Sequence, residues 1–301
     1  MIDTLVVTGV GLIGGSFALA LKKAGRVRRV IGVGRGRANL DEAMRRGLID
    51  EVGAVPADAY ARADFVLVAT PVGQMARVFA EIAPVLRSDA VVTDAGSTKC
   101  DVVAIARSAF GAAVGRFVPA HPIAGAELNG ASAARADLYQ GKKLVIAAVP
   151  ETDSVAVARV EAAWQACGAR VFGMAPELHD RTFAAVSHLP HVLAFALVDE
   201  IARKPHADIL FQFAASGFRD FTRIAGGSPE MWRDISLANR VALLGEIDAY
   251  MAHLAAVRGM IDARDASALD GVFANARSAR KAWLDSIETG EAPARAGAPD
   301  V

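Results

Sequence analysis

The chain has 301 residues, 53% of them hydrophobic, enough to bury one large core or two ordinary ones. Its formal net charge of +0 excludes a global field that would recruit nucleic acid or an anionic membrane, so any anionic ligand must be held by local groups. Two cysteines, Cys100 and Cys167, supply neither a disulfide framework nor a zinc-ligand spacing.

Residues 5–8 read as a short apolar strand so near the N-terminus that no signal peptide precedes it. Gly9-Val10-Gly11-Leu12-Ile13-Gly14 follows, the G-x-G-x-x-G spacing, and opens a helix through Phe17, Leu19 and Leu21. The first glycine permits a tight turn, the second lets backbone approach a pyrophosphate, and the third lets helix pack on strand. Gly9, Gly11, Leu12, Ile13 and Gly14 are therefore candidate dinucleotide contacts, with the phosphates at the helix N-terminus. A second strand is expected at 30–33, and its tip reads Gly34-Arg35-Gly36-Arg37. An NAD site usually carries Asp or Glu there for the ribose 2′-OH. Arg35 and Arg37 instead suit a 2′-phosphate, which predicts NADP in preference to NAD. Asp41 is the carboxylate that would restore NAD, and two solvated loop arginines are the plainer alternative.

Residues 63–70 form a buried strand pattern stopped by Pro71, which places Thr70 and Pro71 beside the cofactor. Strands at 90–93 and 116–119 each follow a helical stretch, at 74–87 and 99–110. Further strands at 144–148 and 171–172 flank an alanine-rich helix at 153–167. This alternation predicts an α/β Rossmann-type doubly wound sheet over residues 1–175. Loops at the carboxyl ends of such strands line the ligand crevice. Two of them carry Asp94-Ala95-Gly96-Ser97-Thr98-Lys99 and His121-Pro122-Ile123-Ala124-Gly125-Ala126-Glu127. Ser97 and His121 would then share a rim and could form a proton-handling pair. Lys99 reads either as a ligand contact or as a solvated helix start.

After Pro176 the pattern is helical only, which predicts an all-α substrate and dimerisation domain at 176–287. His188, His191, Phe195 and Val198 share a face, and Pro190 should kink the helix, either to aim His191 or as a packing bend. His179, His188 and His191 suggest a metal, but no Cys, Asp or Glu set completes a zinc spacing, so none is expected. Asp220-Phe221-Thr222-Arg223 leads to Gly226-Gly227, after which Ser228 reads as an N-cap with Pro229 at the first helical position. The long helix that follows carries Val241, Leu244, Met251 and Leu254 on a wide apolar face, which predicts a homodimer through the C-terminal helices. A last amphipathic helix is expected at 268–286, and residues 288–301 read as a disordered tail. Apolar runs such as 192–198 are too short to cross a bilayer, so a cytoplasmic protein is expected.

Five motifs occur in order: the glycine loop from Gly9, Asp94 to Lys99, His121 to Gly125, Ser187-His188-Leu189-Pro190-His191, and Asp220 to Arg223. Together they closely resemble the prephenate/arogenate (cyclohexadienyl) dehydrogenase family of tyrosine biosynthesis, and the resemblance covers nearly the whole chain. It implies oxidative decarboxylation of prephenate or arogenate to 4-hydroxyphenylpyruvate or tyrosine, with a hydride passed to NAD(P)+. By resemblance His121 is the catalytic base, and Ser97 holds the substrate hydroxyl and orients that histidine. Arg223 would clamp a substrate carboxylate, His191 would bind substrate, and Glu127 and Asp220 would shape the pocket around Arg223. His188 either touches substrate or orients the helices. Ala126 stands where some relatives carry a hydroxyl residue, which leaves both substrates open. Two rival readings need only the glycine loop. One is another two-domain reductase of the 3-hydroxyacid dehydrogenase or imine reductase type; the other is a non-catalytic dinucleotide sensor.

Overall fold

The computed structural model describes residues 1–125 and 129–289; Glu127 and the expected tail from residue 290 lie outside them. The first strands and helices alternate: β1 (Ile2–Thr8), α1 (Leu12–Lys23), β2 (Val27–Val33), α2 (Arg37–Arg45), β3 (Glu51–Val52), α3 (Pro56–Arg62) and β4 (Phe65–Val68). They continue as α4 (Met75–Ile82), β5 (Val91–Asp94), α5 (Cys100–Phe110) and β6 (Phe117–Val118). All of these strands are parallel, in the order β3-β2-β1-β4-β5-β6, which is the Rossmann order. Side chains alternate between faces along each strand, so Leu5 and Val7 join Phe17, Leu21 and Trp164 on one side. Val6 joins Ile31, Val66 and Phe79 on the other. Burial on both faces explains why β4 is an unbroken apolar run rather than an alternating one.

The sheet ends earlier than the sequence pattern suggests. Pro119 has no N–H to donate and stops the ladder after the two residues of β6. The chain then starts a separate three-stranded sheet, β7 (Ala120–Ile123), β8 (Lys143–Ile146) and β9 (Arg170–Gly173), with α6 (Ser154–Ala166) between the last two. β7 pairs antiparallel with β8, and β8 parallel with β9. The strands expected at 144–148 and 171–172 therefore exist but do not extend the parallel sheet. His121 lies within β7, paired in register with Val145, rather than in a loop.

Helices follow: α7 (Pro176–Phe183), a π turn at Ala184–His188, α8 (Leu189–Ala202), α9 (Ala207–Gln212), α10 (Ser216–Thr222) and α11 (Pro229–Ala238). The π turn sits directly before Pro190 and occupies the place where a kink was expected. Pro176–Ala202 makes one continuous 27-residue helical run, which by length and composition alone could span a bilayer. Its His179, Asp180 and His188 are nevertheless buried and hydrogen-bonded within the protein.

The chain forms two compact units, and the first runs from Met1 to Leu243, well past the sequence break at residue 175. Helices up to α11 belong to it because polar groups tie them to the strand half. Asn239 donates to the Asp180 carbonyl at 2.7 Å, and Asp180 in turn accepts from the amides of Lys99 and Cys100. The second unit begins at Leu244 and holds most of α12 (Arg240–Asp262) and all of α13 (Ala266–Thr289). Its Met251, Leu254, Ile261, Phe273 and Trp283 side chains are exposed.

Candidate active site

The carboxyl edge of β1 and β4 is the point where strand order reverses, and the glycine loop lies there. Gly9 has φ +95°, and a Cβ at this position would come within 2.6 Å of the Ala69 carbonyl oxygen just beyond β4. A Cβ on Gly14 would strike the Gly9 carbonyl, so neither position admits a side chain. Gly11 is different: nothing lies within 4 Å of the Cβ it lacks. It is also the N-cap of α1 and caps no amide with a side chain. The loop therefore offers open space beneath unfilled helix N–H groups, which fits a dinucleotide pyrophosphate. Beside it the buried Thr70 hydroxyl has no partner among the described residues, and Pro71 turns the chain away. Leu12 is buried in the core and the partly buried Ile13 packs against it.

Arg35 and Arg37 are both exposed at the tip of β2. Each already has a carboxylate. Arg37 donates to Asp41 at 2.8 Å, and Arg35 reaches Glu230 of α11 at 3.5 Å. Glu230 also accepts from the Gln74 amide at 3.0 Å. No sequence signal pointed to Glu230, because 195 residues separate it from Arg35.

Asp94 closes β5 and organises the second half of the site. Its buried carboxylate accepts from the amides of Gly96 at 2.7 Å and Ala120 at 3.0 Å. Lys99, fully buried rather than solvated, forms an ion pair with Asp94 and donates to the Ala120 carbonyl at 2.8 Å. These bonds staple the loop carrying Ser97 to the first residue of β7, so His121 emerges beside that loop. Ser97 and His121 are both half-buried. They are not joined directly among the described residues. Instead His121 Nδ1 lies 2.9 Å from His179 Nε2, and His179 Nδ1 lies 2.8 Å from Asp180 Oδ1. Phe183 packs edge-on against His121, ring centroids 4.9 Å apart.

Burial, with the nearby His179, Lys99 and His188, pushes the His121 imidazole well below its ordinary 6.5, so it is neutral at pH 7. Burial also lowers His179, against the opposing pull of Asp180. For Asp180, burial works upward, but hydrogen bonds from His179 and the Cys100 and Lys99 amides outweigh it and hold the carboxyl below its usual range. A neutral imidazole can accept a proton from a hydroxyl brought to its free nitrogen.

A family model described as the prephenate dehydrogenase nucleotide-binding domain matches residues 17–173, and one described as the prephenate dehydrogenase dimerization domain matches residues 175–275. The chain belongs to the prephenate dehydrogenase family. It is 34% identical over 285 residues to a prephenate dehydrogenase of Bacillus subtilis, covering 93% of this chain and 76% of that one. A cyclohexadienyl dehydrogenase of Zymomonas mobilis is 34% identical over 280 residues, 92% of this chain and 95% of its own. Among solved structures, prephenate dehydrogenase from A. aeolicus in complex with hydroxyphenyl propionate and NAD+ superimposes with a TM-score of 0.88. That pair is 34% identical, covering 93% of this chain and 98% of the other. As a prephenate dehydrogenase family member, the chain is an enzyme dependent on a nicotinamide dinucleotide.

The remaining expected residues of this family member fall on the helical side of the site. His191 is half-buried; its Nδ1–H donates to the Ser187 carbonyl at 2.8 Å, which leaves Nε2 as an acceptor. Its ring stacks on Trp232 with centroids 3.6 Å apart. Burial lowers its pKa and the Arg223 charge lowers it further, which places that guanidinium near the ring. Arg223 opens the 3-10 turn Arg223–Gly226, packed on α8, and Asp220 lies one turn earlier in α10; both are exposed. His188 is 1% exposed. Its Nδ1 accepts from the Asn239 amide at 3.0 Å, and its Nε2 has no hydrogen-bond partner among the described residues. Sequence reasoning missed His179, Asp180, Asn239 and Trp232 as parts of this cluster. Only His179 leaves a trace in the sequence, as one of three histidines that suggest a metal without a complete ligand set.

Proposed function

We propose that the chain oxidatively decarboxylates prephenate, with arogenate as a second substrate, and favours NADP+ over NAD+. The observation that carries this reading is His121: neutral, half-buried, its Nδ1 committed to His179 and its Nε2 available to a substrate hydroxyl. The bound nicotinamide supplies the hydride acceptor. His121 Nε2 takes the proton of the ring hydroxyl, and Ser97 holds that oxygen from the neighbouring loop. The ring carbon bearing that oxygen gives up its hydride, and departure of CO₂ then aromatises the ring to a phenolate, which takes the proton back from His121 Nε2. Arg223 grips the substrate carboxylate with its two-pronged donor, and His191 offers Nε2 beside it. Asp220 shapes the rim around Arg223, and the buried His188 orients helix α8 through Asn239. Curated relatives named prephenate and cyclohexadienyl dehydrogenase support the substrate assignment. Arg35 and Arg37, with no carboxylate on β2's last residues, support the 2′-phosphate assignment. The exposed apolar side chains of α12 and α13, with the match to a dimerization-domain model, support a homodimer.

Steady-state kinetics over the four combinations of substrate and cofactor test the reading. His121→Asn should lower kcat by roughly two to four orders of magnitude with KM little altered. An unchanged kcat, or no turnover of either cyclohexadienyl substrate by the unmodified enzyme, overturns it.

A further inference from the structure

Asp180, His179 and His121 form a line of three side chains running from a buried carboxylate out to the half-buried base. Hydrogen-bond logic determines every proton along it. The Asp180 carboxylate is ionised and accepts from the Lys99 amide at 2.8 Å and the Cys100 amide at 2.9 Å. An ionised carboxylate can only accept, so the His179 nitrogen 2.8 Å from it, Nδ1, must carry a hydrogen. His179 is neutral and fully buried, so its Nε2 is a bare lone pair. That lone pair faces His121 Nδ1 at 2.9 Å, which must therefore be the protonated nitrogen of the second ring. One nitrogen is left, His121 Nε2, and it is an acceptor.

We propose that His179 and Asp180 are positioning residues that hold His121 in the Nδ1–H tautomer, so that Nε2 is always the basic nitrogen presented to the substrate hydroxyl. The idea rests on the assignment of His121 as the base and extends it two residues into the protein. Free imidazole exchanges between tautomers, and a base with its hydrogen on Nε2 would meet an alcohol donor to donor. Asp180 serves two tasks at once. It caps the amides at the start of α5, next to the Ser97 loop, and it polarises His179. The hydroxyl-binding loop and the base are thus referenced to a single carboxylate. Phe183 packs on both rings, with centroids 4.9 Å from His121 and 4.5 Å from His179, and restricts their rotation. A proton taken up at His121 Nε2 is also stabilised, since Nδ1–H then donates more strongly along the chain toward Asp180.

The first test reads the tautomers directly by ¹⁵N NMR of the full-length protein labelled at histidine. The expected result is His121 protonated at Nδ1 and bare at Nε2 near pH 7; the reverse overturns the proposal whatever the substrate proves to be. Kinetic variants form the second test. Asp180→Asn with its NH₂ in the place of Oδ1 keeps the bond from the Cys100 amide, gives up the one from the Lys99 amide and donates to His179, which reverses both tautomers. A kcat loss of about 100-fold or more is expected, with KM within about twofold. His179→Phe removes the acceptor and should behave likewise, whereas His179→Gln places an amide oxygen near the lost Nε2 and should recover most of kcat. If a folded His179→Phe enzyme turns over like the unmodified one, or Gln rescues no better than Phe, His179 has no positioning role. Should the unmodified enzyme oxidise neither prephenate nor arogenate, the functional reading falls, and the NMR result still decides the tautomer.

Discussion

His188 makes the interior of the site a measurable liability in acid. It is 1% exposed, and burial lowers its pKa from 6.5 to about 4. In the unfolded chain the same ring protonates near its ordinary pKa of about 6.5. Between those two values the unfolded state holds nearly one more proton than the folded state, so stability falls as pH falls. The contribution is fully present above about pH 6.5 and is lost progressively toward about pH 4, at about 1.4 kcal/mol for each pH unit. Lowering the pH from 7 to 5 should therefore cost about 2 kcal/mol through this residue alone. His121, His179 and His191 are lowered too and add losses of the same sign, which is why a variant is needed to isolate one ring. Urea unfolding at pH 7, 6 and 5, followed by tryptophan fluorescence, would compare the unmodified chain with His188→Gln. The variant should start less stable, having lost the contact with Asn239, but its decline with acid should be shallower by about 2 kcal/mol. Parallel declines would refute the argument, since they would mean that His188 takes up its proton in the folded state as readily as in the unfolded one.

Lys99→Met leaves Asp94 buried without its cation and should destabilise the fold by about 3–5 kcal/mol in the same urea assay; a loss under about 1 kcal/mol would show that the pair is not needed. Replacing Arg35 and Arg37 with Ala should raise KM for NADP+ about tenfold or more while barely touching NAD+, and equal losses would reject the 2′-phosphate role. Glu230→Gln should act in the opposite sense, since Arg35 would no longer share its charge with a carboxylate. Met251→Glu with Leu254→Glu places charge on the exposed face of α12 and should shift sedimentation from dimer to monomer.

What could be read from the chain alone was whatever is encoded locally. The glycine loop lies between a strand and a helix within a few residues, and its steric demands are met by Gly9, Gly11 and Gly14 in different ways. The strands at the sheet centre announce themselves because burial on both faces forces continuous apolar runs. Sheet membership is another matter. Whether residues 143–146 join β6 or β7 depends on which backbone has unpaired groups nearby, and that follows from Pro119 ending one ladder and the Asp94–Lys99 pair holding the next strand in place. No periodicity within 143–146 carries that information.

The same distinction separates the shared rim expected for Ser97 and His121 from the partner His121 has, which is His179. Loops at adjacent strand ends lie close by topology, but β7 belongs to another sheet, and it is the bonds of Asp94 and Lys99 to Ala120 that fix where it starts. Hydrogen-bond partners are chosen at a finer scale, by which nitrogen faces which acceptor over less than 3 Å. His179 lies 58 residues from His121 and on a helix outside the sheet, where the sequence alone reads it as part of a helix start and one histidine of an incomplete metal set. Asp180 becomes meaningful only once its two oxygens are seen to cap α5 on one side and hold His179 on the other. The base proposed from sequence thus stands at the end of a chain whose inner members have no sequence signature. Any account of its reactivity has to start from the buried carboxylate and work outward.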